Sequence, residues 1–149
     1  MPLFIVFSVS SFTQTETNSQ LINDTLFKTA PGTAFFWSGR TGDKGGADIA
    51  LAIAKKLGGI TLEGLIAERG IKMPEWNSND SSTIRPWQQA SAAYAKQVSG
   101  LVRAVIGDDL RPGNIWSQTE LGKLVYNLNV TEIIVIDPST HKQKVIFKR

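Results

Sequence analysis

The hydrophobic period of this chain changes near residue 100, and few folds accommodate such a change. Before it, apolar residues recur at helical spacing, in Ile49, Ile53 and Leu57 and again in Trp87, Ala90, Tyr94 and Val98. After it come three short β-rich runs, LVRAVI (101–106), EIIVI (132–136) and KVIF (144–147). A stripe repeating every 3.6 residues buries one helix face, whereas short runs of branched apolar residues suit strands. Helices first and strands later imply an α/β (α+β) fold, a helical N-terminal half packed against a C-terminal half with a small β-sheet. The segment IWSQTELGKLVYNL between the first two runs reads as a crossover, so the sheet is expected to be mainly parallel.

Helix punctuation agrees with this order. Residues 20–29 carry Leu21, Ile22, Leu26 and Phe27 on one side and stop at Pro31-Gly32. The helix from Ala47 to Leu57 has Lys55 and Lys56 in its last turn and Gly58-Gly59 as its stop. Leu62, Leu65 and Ile66 form a short helix ending at Gly70, and residues 71–85 read as a loop. Pro86, placed at a first helical position, opens a helix to Ser99 that Gly100 ends. Residues 1–149 read as one domain, with 1–19 as a peripheral or upstream-linker segment; the apolar start MPLFIVFSVSSF lacks a basic n-region and is too short to span a bilayer.

Composition removes several classes of chemistry. There is no cysteine, hence no disulfide framework and no thiolate metal site, and no metal site is visible. The single histidine, His141, lies in DPSTHKQK, which reads as a hairpin turn. A net charge of +3 favours an anionic ligand without forming the cationic stripe of a nucleic-acid binder, so neither nucleic acid nor membrane is expected as partner.

The glycine-rich stretch FFWSGRTGDKGG (35–46) matches neither GxxxxGK[ST] nor GxGxxG. It still offers backbone amides and a following helix N-terminus to an anion, beside an indole, Trp37. Taken alone it is equally a surface turn. Trp87 and Ser91 share one helix face, as a core residue and its neighbour would. Glu120 follows Trp116 by four at the crossover, where an ordinary Glu would be solvated. Glu63 and Glu68 are further acidic candidates on a short helix.

In their common order these pieces resemble the ADP-ribosyl cyclase family of NAD glycohydrolases and cyclases. The resemblance covers about residues 34–137 and is carried most by PWQQASAAYAKQVSGLVRAVIG (86–107), with Trp37-Ser38 and Arg40 before it and Trp116 and Glu120 after it. Leu62-x-Gly64-x-x-Ala67-Glu68 resembles a family run whose acidic residue lies near the nicotinamide; an alternative register likens Thr61-Leu62-Glu63 to a family Thr-Leu-Glu. The first register needs almost no gap from Trp37 and is preferred.

The resemblance implies an active site in the cleft between the two halves, with Glu120 catalytic and Trp37, Ser38, Arg40, Glu68, Trp87, Ser91 and Trp116 binding substrate. It implies cleavage of the nicotinamide–ribose bond of NAD+, with NADP+ an open alternative, and no cofactor, since NAD+ is the substrate. Hydrolysis to ADP-ribose is the favoured outcome and cyclisation the alternative. The missing cysteines set the chain apart from the disulfide-rich animal members and suggest a microbial, toxin-like form, delivered by its producer into a target-cell cytoplasm and guarded by a cognate immunity protein. Two readings from other classes stay open: a basic toxin ribonuclease using His141, and a non-catalytic nucleotide-binding module.

Overall fold

The computed structural model describes residues 25–149. The expectations for residues 1–24, including the linker and the first part of the 20–29 helix, lie outside the described residues. Within them, that segment contributes a 3₁₀ turn, Thr25–Phe27, whose Phe27 is buried.

Among the described residues five strands form one sheet: β1 (Ala34–Ser38), β4 (Ile60–Thr61), β5 (Gly100–Ile106), β6 (Val130–Ile136) and β7 (Gln143–Lys148), in the order β4-β1-β5-β6-β7. The first three pairings are parallel and β7 alone runs antiparallel, so the sheet is α/β and mainly parallel. It is not confined to the C-terminal half, however. β1 comes from the run AFFWS and pairs with β5 over Phe35–Ser38, the N-terminal half thus supplying an inner strand. The run shows no alternation because helices cover both faces of the sheet. Phe35 packs into one cluster with Ala50, Ile53, Ala54, Val105 and Ile136, and Phe36 into the other with Leu62, Tyr94, Ala104, Trp116 and Ile133. Each buried phenylalanine contributes about 1.5–3 kcal/mol.

Helix α1 (Ala47–Lys56) covers the Phe35 face. On the Phe36 face lie α2 (Leu62–Arg69), α3 (Ser81–Gln97) and α4 (Leu121–Tyr126). The chain therefore leaves β1 toward β4 on one side and returns to β5 on the other. That makes the carboxyl ends of β1 and β5 the switch point of the sheet, where open α/β folds form a crevice. A two-stranded hairpin, β2 (Arg40–Thr41) with β3 (Lys44–Gly45), stands above it.

Helix α3 begins five residues before Pro86, with the Asp80 carboxylate accepting from the Ser82 N–H at 3.0 Å. Pro86 removes the bond to the carbonyl of exposed Ser82, where water can replace it. Farther along, the Tyr94 hydroxyl is fully buried where the short β1–β4 pairing ends. It accepts from the Phe35 N–H at 3.2 Å and donates to the Ile60 carbonyl at 2.9 Å. Tyr94→Phe leaves these groups without a partner and is expected to cost about 1–3 kcal/mol in urea unfolding; an unchanged midpoint would show that the strands hold without it.

Candidate active site

The sharp turns that follow β1 and β5 pack backbone against backbone. Arg40 N–H donates to the Asp109 carbonyl at 3.1 Å, Asp109 N–H to that of Arg40 at 2.9 Å, and Gly107 N–H to that of Ser38 at 2.9 Å. Glycine is needed at both turns. A Cβ on Gly39, whose φ is +71°, would lie 2.6 Å from the Asp109 carbonyl oxygen, and one on Gly107 would lie 2.2 Å from the Arg40 carbonyl carbon. Thr41 pins the hairpin by donating to Asp137 at 2.9 Å and accepting from the Asp108 N–H at 3.1 Å.

Beneath these turns is a cavity of about 670 Å³. All four tryptophans of the chain line it: Trp37, Trp76, Trp87 and Trp116. Ser38, Arg40, Ser91 and Glu120 line it too, so seven of the eight residues that the resemblance assigns to the site meet in one place. Glu68 does not; it is exposed and absent from the wall, while Glu63 is part of it. On a helix, residues five apart point about 140° away from each other, so one face cannot serve both. Thr61 sets that face by capping α2 through the Gly64 N–H at 3.1 Å, which leaves Glu63 in the first turn.

Glu63 accepts from Trp37 Nε1 at 3.0 Å, which fixes both side chains. Trp87 Nε1 donates to the Pro74 carbonyl at 2.8 Å. Trp116 is buried against Phe36, ring centroids 6.0 Å apart, at the start of a π-helical turn, Trp116–Glu120. Asn114 holds that turn in place, its side-chain carbonyl accepting from Ser117 N–H at 2.8 Å and its amide donating to the Arg111 carbonyl at 2.8 Å. Neither Asn114 nor Trp76 carried a sequence signal strong enough to single it out, although a tryptophan inside the polar stretch EWNSND was itself anomalous. His141 lies in the β6–β7 turn, outside the cavity.

The electrostatics of the wall are unusual. Glu120 is 7% exposed and its carboxyl is pushed up to about 8, first by burial and then by Glu63, with the Ser91 hydroxyl opposing. Burial also raises Glu63, against the hydrogen bond from Trp37. Among the described residues, no cationic side chain acts on either carboxyl. Gly46 and Ala47 bring the start of α1 to the same cavity, and its N-cap, Gly46, supplies no side chain to its amides.

Solved structures share this fold, among them two complexes. One is the Aplysia cyclase complexed with substrate NGD and product cGDPR, 23% identical, with a TM-score of 0.53 over 74% of this chain and 50% of that one. The other is an ADP ribosyl cyclase complexed with N1-cIDPR, 21% identical, with a TM-score of 0.55 over 81% of this chain and 55% of that one. The chain thus spans about half the length of these structures, and the likeness is one of fold. No protein-family model and no curated protein sequence matches it.

Glu120 makes stability depend on pH. Its carboxyl keeps a proton in the folded state that the unfolded chain gives up near its ordinary value of 4.5. The folded state therefore binds the extra proton between about pH 4.5 and about 8, and stability falls as pH rises through that window. Thermal unfolding should show a lower Tm at pH 8.5 than at pH 5. Glu120→Gln should remove much of this slope and raise the Tm at the higher pH; a slope that the substitution leaves intact would place its origin elsewhere.

Proposed function

We propose that this chain is an NAD+ glycohydrolase that cleaves the nicotinamide–ribose bond, releasing nicotinamide and ADP-ribose. The observation that carries the proposal is a pair of carboxyls, Glu120 buried and Glu63 partly buried, on which no cationic side chain among the described residues acts, set among indole rings at the switch point of the sheet. Buried carboxylates are costly until a positive group meets them. The nicotinamide of NAD+ is a cationic ring, and an indole face attracts such a ring by about 0.5–2 kcal/mol. The fold agrees, since its solved neighbours are complexed with NGD, cGDPR and N1-cIDPR.

In this reading Trp37 and Trp87 flank the nicotinamide, with Glu63, rather than Glu68, beside it. Ser38, Arg40, Ser91 and the first amides of α1 take the pyrophosphate. The C–N bond breaks with its electron pair going to the nicotinamide nitrogen, which leaves neutral and needs no general acid. The ribose left behind is oxocarbenium-like, and ionised Glu120 stabilises it, as a carboxylate does in glycoside hydrolysis. Water adds at the anomeric carbon and gives up a proton. Attack by the adenine ring instead would give a cyclic product, which needs the base folded back over the ribose. NADP+ fits the same chemistry as a second substrate.

Loss of NAD+ would harm any cell that housed this activity, which supports the toxin reading: delivery into a target cytoplasm and an immunity protein in the producer. Expression in a host should lower its NAD+ and stop growth, and Glu120→Gln should relieve both.

Incubation of the purified chain with NAD+ and with RNA decides among the classes. Nicotinamide and mainly ADP-ribose are expected, with RNA intact, and Glu120→Gln should slow release by about a hundredfold or more. No nicotinamide from wild type would end the enzyme reading, and equal rates in the variant would remove Glu120 from the chemistry. The pH profile adds a sign. A carboxylate mechanism requires kcat/KM to rise with pH toward a limb near 8, the value at which Glu120 loses its proton in the free protein; a fall through that range would make Glu120 an acid instead.

A further inference from the structure

The cavity wall carries a further aromatic residue and cation that the cleavage chemistry does not use. Trp76 belongs to the segment between α2 and α3, and Arg111 to the loop between β5 and the π-helical turn. Both line the cavity, and the Arg111 guanidinium stands over the Trp76 ring at 5.8 Å from its centroid. This is the outer limit of a cation–π contact, about 6 Å. The backbones beneath them are fixed: the Pro74 carbonyl, two residues before Trp76, accepts from Trp87 Nε1 at 2.8 Å, and the Arg111 carbonyl accepts from buried Asn114 at 2.8 Å. The side chains are free, Trp76 being 39% exposed and Arg111 exposed.

We propose that Trp76 and Arg111 form a base subsite, holding the neutral purine of a dinucleotide between an indole face and a guanidinium plane. The assignment rests on the glycohydrolase reading for its substrate, but its geometry is independent of turnover. Indole and guanidinium both stack on flat bases, and the long contact between them leaves little to break when a base enters. Charge distinguishes the two sets of residues. Glu63 and Glu120 attract a cationic ring, whereas Arg111 repels one and accepts a neutral base. Asp109, the one of the two aspartates on the same loop that lines the cavity, is exposed, leaving it able to meet ribose hydroxyls.

Titration of the full chain with ADP and with inorganic pyrophosphate tests this without any reaction. ADP should bind more tightly than pyrophosphate. Trp76→Ala should weaken ADP by about tenfold with pyrophosphate unchanged, and Trp76→Phe should restore most of the loss. Arg111→Ala, which leaves the loop anchor at Asn114 in place, should also lower ADP affinity. In turnover, the ratio of kcat/KM for NAD+ over nicotinamide mononucleotide should fall about tenfold in Trp76→Ala. ADP affinity unmoved by Trp76→Ala, an equal loss for pyrophosphate, or no ADP binding by wild type would each overturn the subsite. If wild type binds ADP through Trp76 yet releases no nicotinamide, the base subsite stands and the glycohydrolase reading falls.

Discussion

Strand β1 is the constraint from which the rest of the molecule follows. It lies between β4 and β5, and its two phenylalanines are driven into opposite faces of the sheet, Phe35 toward α1 and Phe36 toward α3. Because the chain departs to one side of β1 and returns on the other, a crevice must open at its carboxyl end. Trp37 and Ser38 are the last residues of that strand, so they reach the crevice without any loop to carry them. The close packing of the next turns at Gly39 and Gly107 then fixes the roof.

What fills the crevice is costly to the fold. Burial holds the carboxyls of Glu63 and Glu120 away from their favoured charge state. Such a cost is commonly retained where a ligand offsets it, and the proposed cationic nicotinamide ring would do so for two carboxyls among indoles.

Much of the framework was legible in the sequence because it is local. Ile49, Ile53 and Leu57 announce α1, and the runs at 101–106, 132–136 and 144–147 fall within β5, β6 and β7. β1 was not legible as a strand. Buried on both faces, AFFWS shows no alternation, and its aromatics read as a prelude to the glycines. The start of α3 was hidden by Ser, Asn and Asp, which favour loops until one of them, Asp80, acts as a cap. The glycines of FFWSGRTGDKGG also have a different task from phosphate binding alone, since Gly39 lets two turns touch.

By itself the sequence determined the helices, the C-terminal strands and the residue types that meet in the cavity, because periodicity and composition are properties of neighbours along the chain. Only the tertiary structure decided that Glu63 rather than Glu68 faces Trp37, that Trp76 joins the other three tryptophans, and that Glu120 is buried. These facts depend on contacts between residues far apart in sequence: Trp37 with Glu63 at a separation of 26, Phe35 with Tyr94 at 59. Strand order sets such contacts, and strand order is fixed by burying both faces of β1 at once, which no local pattern records.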